Sequence, residues 1–245
     1  MQFISKTPFN GAVERLFTLG GISGVLWEPA GSADPRPLIL LGHGGGQHKK
    51  APGLLARARR FTADGFAVVA IDAPGHGGRP PAAGQRRMTE AIRARAAQGE
   101  PLGPMFPGYN TTMAAWAIPD WRATLDALQR LGHIGPGGPV GYWGVSMGGA
   151  IGVRLAAAEP RITAAVLGLA RSDGLTEAAA SITIPVEFLV QWDDEMVPRD
   201  SALALFDAFG SAEKSLHANA GGHMEVPRFE VGSSARFFAR HLMAR

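Results

Sequence analysis

The chain has 245 residues, no cysteine, a formal net charge of +3, 46% hydrophobic residues and 18% charged residues. This balance is typical of a globular protein that buries its own core, and the lack of cysteine excludes disulfides, cysteine-ligated metal sites and a cysteine nucleophile. The small net charge, with no block of about five like charges, predicts no nucleic-acid partner. We find no signal-like N-terminus and no apolar run of the roughly 18 residues that a membrane span needs, so we expect a cytoplasmic protein.

In chain order, the first predicted element is an antiparallel hairpin of Glu14–Leu19 and Ile22–Glu28 around a Gly-Gly turn. Short apolar runs then alternate with helix-like segments. The runs are continuously apolar, which is typical of strands buried on both faces of a parallel sheet. The predicted strands are Leu38–Leu41, Ala67–Ile71, Val140–Val145, Ala164–Leu169, Val186–Val190 and Lys214–Ala218. The predicted helices are Leu54–Ala63, Trp121–Leu131, Met147–Ala158, Ser201–Phe209 and Phe229–Met243.

This alternation predicts an α/β protein with a mostly parallel central sheet and helices on both faces, and we expect a single domain over residues 1–245. Residues 80–117 interrupt the pattern, because they are too many for an ordinary loop between a strand and a helix. Within them Met88–Ala97 is a basic, helix-like stretch. We predict that residues 80–117 form a short cap insertion over the carboxyl edge of the sheet, where α/β proteins bind ligands.

The sequence Gly-Val-Ser-Met-Gly-Gly, residues 144–149, follows an apolar strand and begins a helix-like run. This Gly-x-Ser-x-Gly pattern is typical of a sharp strand-to-helix turn that exposes its serine hydroxyl at a helix N-terminus. Ser146 is therefore the predicted nucleophile, with a purely structural glycine turn as the alternative. A second glycine-rich loop, residues 43–46, follows the first apolar run, and the backbone amides of Gly45 and Met147 are the predicted oxyanion hole. The alternative for that loop is a flexible turn.

These motifs, together with Asp-Ala-Pro-Gly-His-Gly at 72–77, Asp-Glu-Met-Val-Pro at 194–198 and Gly-Gly-His at 221–223, occur in an order similar to that of the α/β-hydrolase family. The resemblance covers residues 38–224 and is greatest to the dienelactone hydrolase and prolyl-oligopeptidase-like branch. It implies a triad of Ser146, His223 and Asp194, the acid being recognised by the Val-Pro that follows it. Asp193 and Asp173 stay open as alternative acids.

The resemblance implies hydrolysis of a small or medium carboxylic ester, thioester or lactone through an acyl-enzyme, without a cofactor. An acyltransferase, a C–C hydrolase or a short-peptide hydrolase on the same triad is an alternative, as is a ligand-binding protein without turnover. The partner is then a small acyl substrate, and the chain is a monomer or a homodimer. Candidate pocket residues are Gly44, Met105, Phe106, Tyr109, Met113 and Trp116. An alternative role for the last five is to anchor the insertion.

The remaining histidines receive no catalytic role in this interpretation. His43 and His76 lie in the family's turn motifs, where we expect them to bond the backbone. We expect His48, His133, His217 and His241 to be solvated. A metal site of His43, His48 and Asp72 fits no familiar ligand spacing, and we predict no metal.

Overall fold

The structure, a computed structural model, describes residues 1–31, 35–135 and 137–243. Its strands are β1 Gln2–Phe9, β2 Ala12–Leu19, β3 Ile22–Pro29, β4 Leu38–Gly42, β5 Ala67–Ile71, β6 Val140–Val145, β7 Ile162–Gly168, β8 Val186–Gln191 and β9 Lys214–Asn219. Its helices are α1 Pro52–Ala63, α2 Ala83–Ala97, α3 Phe106–Leu128, α4 Met147–Ala158, α5 Thr176–Ala180, α6 Arg199–Ala208 and α7 Glu230–Leu242. A 3₁₀ turn, Gly103–Met105, precedes α3.

All nine strands lie in one sheet with the order β1-β2-β3-β5-β4-β6-β7-β8-β9. The first three strands pair antiparallel, and β3 joins the rest of the sheet by an antiparallel pairing with β5. From β5 to β9 each neighbouring pair is parallel. The α/β-hydrolase fold with its mostly parallel sheet is therefore confirmed, and the carboxyl ends of β4 to β9 meet along one edge.

Hydrophobic packing covers both faces of the parallel strands. In β4, Leu38 and Leu40 belong to one buried cluster, whereas Ile39 and Leu41 belong to the other, because successive side chains of a strand point to opposite faces. Helices α1 and α7 pack on one face, and α3, α4, α5 and α6 supply residues to the other. This two-sided burial explains why the strand sequences are continuously apolar. In the described residues no helix combines the length and apolar character that crossing a membrane requires.

The structure differs most from the predicted elements at β1 and α3. Strand β1 was not predicted, because the side chains of one face, which include Lys6 and Pro8, are exposed and those of the other face are at most half-buried. The helix predicted over Trp121–Leu131 is α3, which begins 15 residues earlier and continues through Pro119. Proline and glycine near its start resemble turn signals in the sequence, yet the buried positions Met113, Ala117 and Trp121 follow a helical spacing. Tertiary packing therefore outweighs the local turn signals.

The segment 80–117 consists of α2, the 3₁₀ turn and the first half of α3. Its base is held by Gln85 of α2, whose side-chain amide donates to the carbonyl of Pro74 in the turn after β5. Arg79 donates both to the carbonyl of Asp72 and, at 2.6 Å, to Asp120 of α3. These bonds attach α2 and α3 to the loop that follows β5, at the carboxyl edge of the sheet.

Helix α4 approaches the sheet so closely that its glycines cannot carry a side chain. A Cβ added to Gly149 would lie 2.3 Å from the carbonyl oxygen of Gly168, and one added to Gly148 would lie 2.6 Å from that of Gly42. Both obstacles are backbone atoms, which cannot rotate away. The glycines therefore set the distance between α4 and the strands on either side of β6.

We predict that Gly149→Ala lowers the free energy of unfolding by about 2 kcal/mol or more, because the added methyl group overlaps the backbone of Gly168. Gly232→Ala in α7 is the matched control, because the nearest atom to its added Cβ is Arg236 Nη1 at 3.5 Å. Alanine is the better helix former, so the control variant should unfold at an equal or higher urea concentration than wild type. Equal stability of the two variants would contradict the packing argument.

Candidate active site

Ser146 stands at the turn between β6 and α4. Its backbone has φ 59° and ψ −126°, a left-handed conformation that is uncommon for a residue with a side chain and costs on the order of 1–3 kcal/mol. The turn is held by the Ser146 amide, which donates to the carbonyl of Gly168 in β7 at 3.0 Å. The strained turn places the serine hydroxyl at the N-terminus of α4, above the carboxyl edge of the sheet.

Ser146, His223 and Asp194 form a continuous chain of hydrogen bonds. His223 Nε2 is 2.9 Å from Ser146 Oγ, and His223 Nδ1 is 2.7 Å from Asp194 Oδ2. Because a carboxylate only accepts, the bond to Asp194 assigns the proton to Nδ1 and leaves Nε2 to accept from the serine hydroxyl. The side chains of His223 and Asp194 are almost completely buried. The structure thus brings together three residues that are 29 and 48 positions apart in the sequence.

The other two candidate acids do not contact His223 in the described hydrogen-bond network. The side chain of Asp193 is 66% exposed and accepts a hydrogen bond from the Gly221 amide. Asp173 accepts from Arg171 Nε at 2.9 Å, and this partner lowers the pKa of the Asp173 carboxyl. Asp194 instead accepts the amides of Met196 and Val197 on Oδ1, both at 2.8 Å, which orients Oδ2 toward the imidazole.

The loop that carries His223 is tied to the loop after β8 by side chains that the sequence analysis did not select. Glu195 accepts the His223 amide at 3.0 Å, while within the His223 loop itself Glu225 accepts the Gly222 amide at 2.8 Å. The amide hydrogen bond from His223 lowers the pKa of the exposed Glu195 carboxyl. Gln191, buried at the end of β8, donates to the carbonyls of Ala220 and Gly222. Glu195, Glu225 and Gln191 lie within three residues of Asp194 or His223 in the sequence, and this proximity is the signal that could have identified them.

The glycine loop after β4 is held by a buried, neutral imidazole. Ala73 donates its amide to His43 Nε2 at 3.0 Å, so Nδ1 carries the proton and donates to the carbonyl of Gly44 at 2.8 Å. Burial lowers the pKa of His43 to about 4, with a smaller contribution from His76. The carbonyl of Gly44 and the amide of Gly45 belong to one planar peptide unit and point in opposite directions. His43 therefore sets the direction of the Gly45 N–H.

The second candidate oxyanion donor is Met147, the first residue of α4. An amide at this position has no carbonyl within its own helix to bond, and the positive end of the helix dipole lies there.

The buried carboxylate of Asp72 joins the loops after β4 and β5. It accepts from the Lys49 amide and ammonium and from the Gly78 amide. Burial opposes ionisation, but these bonds outweigh it and lower the pKa of Asp72.

The candidate pocket residues are not equivalent in the structure. Gly44 is buried in the glycine loop, while Met105 and Phe106 are half-buried at the start of α3. Tyr109 is also half-buried, and its hydroxyl is 3.4 Å from His76 Nε2, beside the His43 ring. Met113 is fully buried in the hydrophobic core, and Trp116 is 36% exposed. Met113 therefore packs the core instead of facing an open pocket.

Three of the four histidines that we expected to be solvated are engaged in contacts. His133 pairs with Glu28, His241 lies against the ring of Phe237, and His217 contacts two carboxylates. Their positions, in a turn, a helix and an edge strand, suggest exposure in the sequence, but carboxylate or aromatic side chains lie against each of them and leave it only partly exposed. His48 is exposed as expected. The three residues considered as a metal site each have a different hydrogen-bond donor. His43 accepts from the Ala73 amide, His48 from the Lys50 amide, and Asp72 from the Lys49 ammonium.

Comparison with known proteins identifies the family. Residues 38–243 match the alpha/beta hydrolase family, and the chain belongs to it. A cold-adapted esterase from an Arctic intertidal metagenomic library, solved with bound PEG, is 32% identical over 99% of this chain and 100% of its own, with a TM-score of 0.80. The native structure of a cold-adapted esterase from an Arctic intertidal metagenomic library is 30% identical over 99% of this chain and 100% of its own, with a TM-score of 0.76.

An acetyl xylan esterase from Paenibacillus sp. R4 shares the fold at 15% identity, covering 98% of this chain and 88% of its own, with a TM-score of 0.69. No curated relative matches the sequence. The family assignment agrees with the resemblance that the motifs indicate.

We predict that protonation of His43 contributes to acid destabilisation. A histidine with a pKa near 4 in the folded state and about 6.5 in the unfolded state binds its proton more tightly when unfolded. Its contribution to stability is complete above pH 6.5 and is lost as the pH falls toward 4. The stability advantage of wild type over His43→Asn should therefore shrink by about 2–3 kcal/mol between pH 7 and pH 4.5 in urea unfolding.

His48→Asn is the matched control, because it makes the same substitution at an exposed histidine close to the same loop. A stability advantage of wild type over His43→Asn that does not change between pH 7 and pH 4.5 would contradict the assignment of a neutral, buried imidazole.

Proposed function

We propose that the protein is a serine esterase that hydrolyses small or medium carboxylic esters, with Ser146 as nucleophile, His223 as general base and Asp194 as the acid that orients it. The observation that carries the proposal is the hydrogen-bond chain from Asp194 through His223 to Ser146 Oγ, with distances of 2.7 Å and 2.9 Å. The similarity at 32% identity to an esterase over the whole length of both chains supports the same reaction class.

In the proposed first step, Ser146 Oγ attacks the ester carbonyl carbon and its proton moves to His223 Nε2. The carbonyl oxygen becomes an oxyanion, and the alkoxy group leaves with the proton from His223, which forms the acyl-enzyme. Water then attacks the acyl carbon while His223 takes and returns a proton, releasing the acid and regenerating the serine. Asp194 keeps the Nδ1 tautomer in place and stabilises the transient imidazolium.

The amides of Gly45 and Met147 are the proposed donors to the oxyanion. Two observations support them: Met147 begins α4, and His43 sets the plane of the peptide that carries the Gly45 N–H. Each such donor, oriented before the substrate arrives, lowers the barrier by roughly 3 kcal/mol. The half-buried Met105, Phe106 and Tyr109 are the proposed contacts for the acyl or alcohol group, because Tyr109 reaches the loop beside His43.

The direct test is labelling with a fluorophosphonate probe, followed by intact mass and peptide mapping. Wild type should acquire one adduct on Ser146, because only an activated hydroxyl attacks phosphorus at a useful rate. Ser146→Ala should acquire none, and His223→Ala should label at least about a hundredfold more slowly. Folding of each variant is checked by circular dichroism. An unlabelled but folded wild type, or an adduct elsewhere, would reject the proposal.

The identity of the acid is tested with three matched Asp→Asn variants. Asp194→Asn should lower kcat on a p-nitrophenyl acyl ester by about 10⁴, because an amide favours the wrong tautomer of His223. Asp193→Asn and Asp173→Asn should stay within a few-fold of wild type, since their carboxylates bond Gly221 and Arg171 instead. A large loss in either control, with Asp194→Asn active, would reassign the acid.

A further inference from the structure

A second cluster of ionisable side chains lies away from Ser146, on the face of the sheet that α7 covers. It consists of Glu187 from β8, His217 from β9 and Glu230 from the first turn of α7. One ligand atom from each of the three lies within 4.8 Å of the other two. His217 Nδ1 is 3.0 Å from Glu230 Oε2, and His217 Nε2 is 3.6 Å from Glu187 Oε2. The imidazole thus stands between two carboxylates.

Both carboxylates are removed from water. Glu187 is 3% exposed and Glu230 is 1% exposed, and burial raises the pKa of Glu187. Their hydrogen-bond donors are neutral: the hydroxyls of Ser233 and Ser234 for Glu187, and the Asn219 amide for Glu230.

Charged groups from several elements lie near these carboxylates. Arg57 of α1 interacts electrostatically with Glu230, although its guanidinium stacks on Trp143 at 3.7 Å. Lys214 of β9 and Arg236 and Arg240 of α7 line the same cavity as Glu187, but Lys214 bonds backbone carbonyls and Arg240 pairs with Glu213. In the described residues no ion pair joins a lysine or an arginine to either carboxylate. Two buried carboxylates at this separation are therefore a favourable place for a further positive charge.

Two carboxylates and one imidazole are ligands that divalent transition-metal ions bind. Zn²⁺ binds carboxylate oxygen and imidazole nitrogen at about 2.0–2.2 Å, which puts neighbouring ligand atoms about 3.0–4.2 Å apart. The distances of 3.0 Å to Glu230 and 3.6 Å to Glu187 start from opposite nitrogens of the His217 ring, whereas a single ion takes one of them. One ligand atom from each residue nevertheless lies within 4.8 Å of the other two, so side-chain shifts of roughly 1 Å would bring the three atoms to ligand separations. Three protein ligands leave one position for water.

The cluster is also open to an arriving ion. A cavity of about 320 Å³ lies between α7 and the first residues of β8 and β9, and Glu187 and Ser233 form part of its lining. The side chain of His217 is 28% exposed. The cavity lies at the amino-terminal ends of these strands, whereas Ser146 follows the carboxyl end of β6, so an ion would reach the cluster without passing the candidate active site.

We propose that Glu187, His217 and Glu230 form a structural site for a divalent transition-metal ion of the Zn²⁺ type. The ion would join β8, β9 and α7 and offset the repulsion between the two buried carboxylates. Residues 220–229, which connect β9 to α7 and include His223, begin and end beside this site. The ion therefore stabilises the fold around that loop. This inference does not rest on the proposed esterase activity, and it differs from the sequence-based expectation of no metal.

The test is metal titration of chelator-treated full-length protein in a His223→Ala background, which removes the imidazole of the candidate active site. Zn²⁺ binding is measured by calorimetry and by thermal unfolding, and Co²⁺ binding by its visible absorption, which is intense for four-coordinate Co²⁺. We expect one ion per chain, the strong absorption of four-coordination, and an unfolding temperature raised by roughly 5–10 °C at a hundredfold excess over Kd.

Adding Glu187→Gln or His217→Gln should weaken binding by at least about a hundredfold, because each removes a ligand. His241→Gln is the matched control: His241 lines the same cavity and contacts Glu213, but it is not part of the cluster. It should leave binding unchanged. If a ligand variant does not fold, X-ray absorption of the Co²⁺ complex of the parent protein decides, with one nitrogen and otherwise oxygen donors expected.

Several results would overturn the proposal. They are no binding at millimolar Zn²⁺, binding that survives both ligand variants, binding lost with His241→Gln, or a Co²⁺ shell with two or more imidazole nitrogens. In any of these cases Glu187, His217 and Glu230 contact only one another and their protein hydrogen-bond partners.

Discussion

The close contact between α4 and the sheet is the constraint on which the rest of the molecule depends. Gly148 and Gly149 bring the helix against the backbone of Gly42 and Gly168, and the buried hydroxyl of Tyr142 donates to the carbonyl of Gly148 at 2.7 Å. With the helix this close, the chain can leave β6 only through the strained conformation at Ser146. The strain is tolerated because the sheet and the helix determine both ends of the turn.

Around that turn, the candidate active site is built from loops that are joined to one another by hydrogen bonds. The loop after β8 supplies Asp194 and Glu195, and both bond the segment that carries His223. The loops after β4 and β5 are joined through His43 and Asp72. Three of these four links connect a side chain of one loop to the backbone of another, and the fourth joins the side chains of Asp194 and His223. The positions of the reactive groups therefore depend largely on main-chain geometry.

Sequence reasoning succeeded where local pattern and tertiary structure agree. The bounds of β6 and α4 follow from an apolar run, a glycine turn and a helix-like run that are contiguous, and the structure has them at the predicted residues. It failed where distant contacts decide. The start of α3 depends on core packing that overrides its prolines, and the contacts of His217 depend on Glu187 and Glu230, which are 30 and 13 residues away.

The length of α3 has a mechanical consequence. Its 23 residues make a helix about 35 Å long that begins in the segment 80–117 and ends in the hydrophobic core. Both halves of α3 belong to one continuous helix. Tilting the outer half without bending the helix would therefore displace Trp121 and Leu125 from the hydrophobic core. Pro119 is the point at which the helix lacks a backbone hydrogen bond and bends most easily. Any movement of the outer half of α3 relative to the core would therefore bend the helix there.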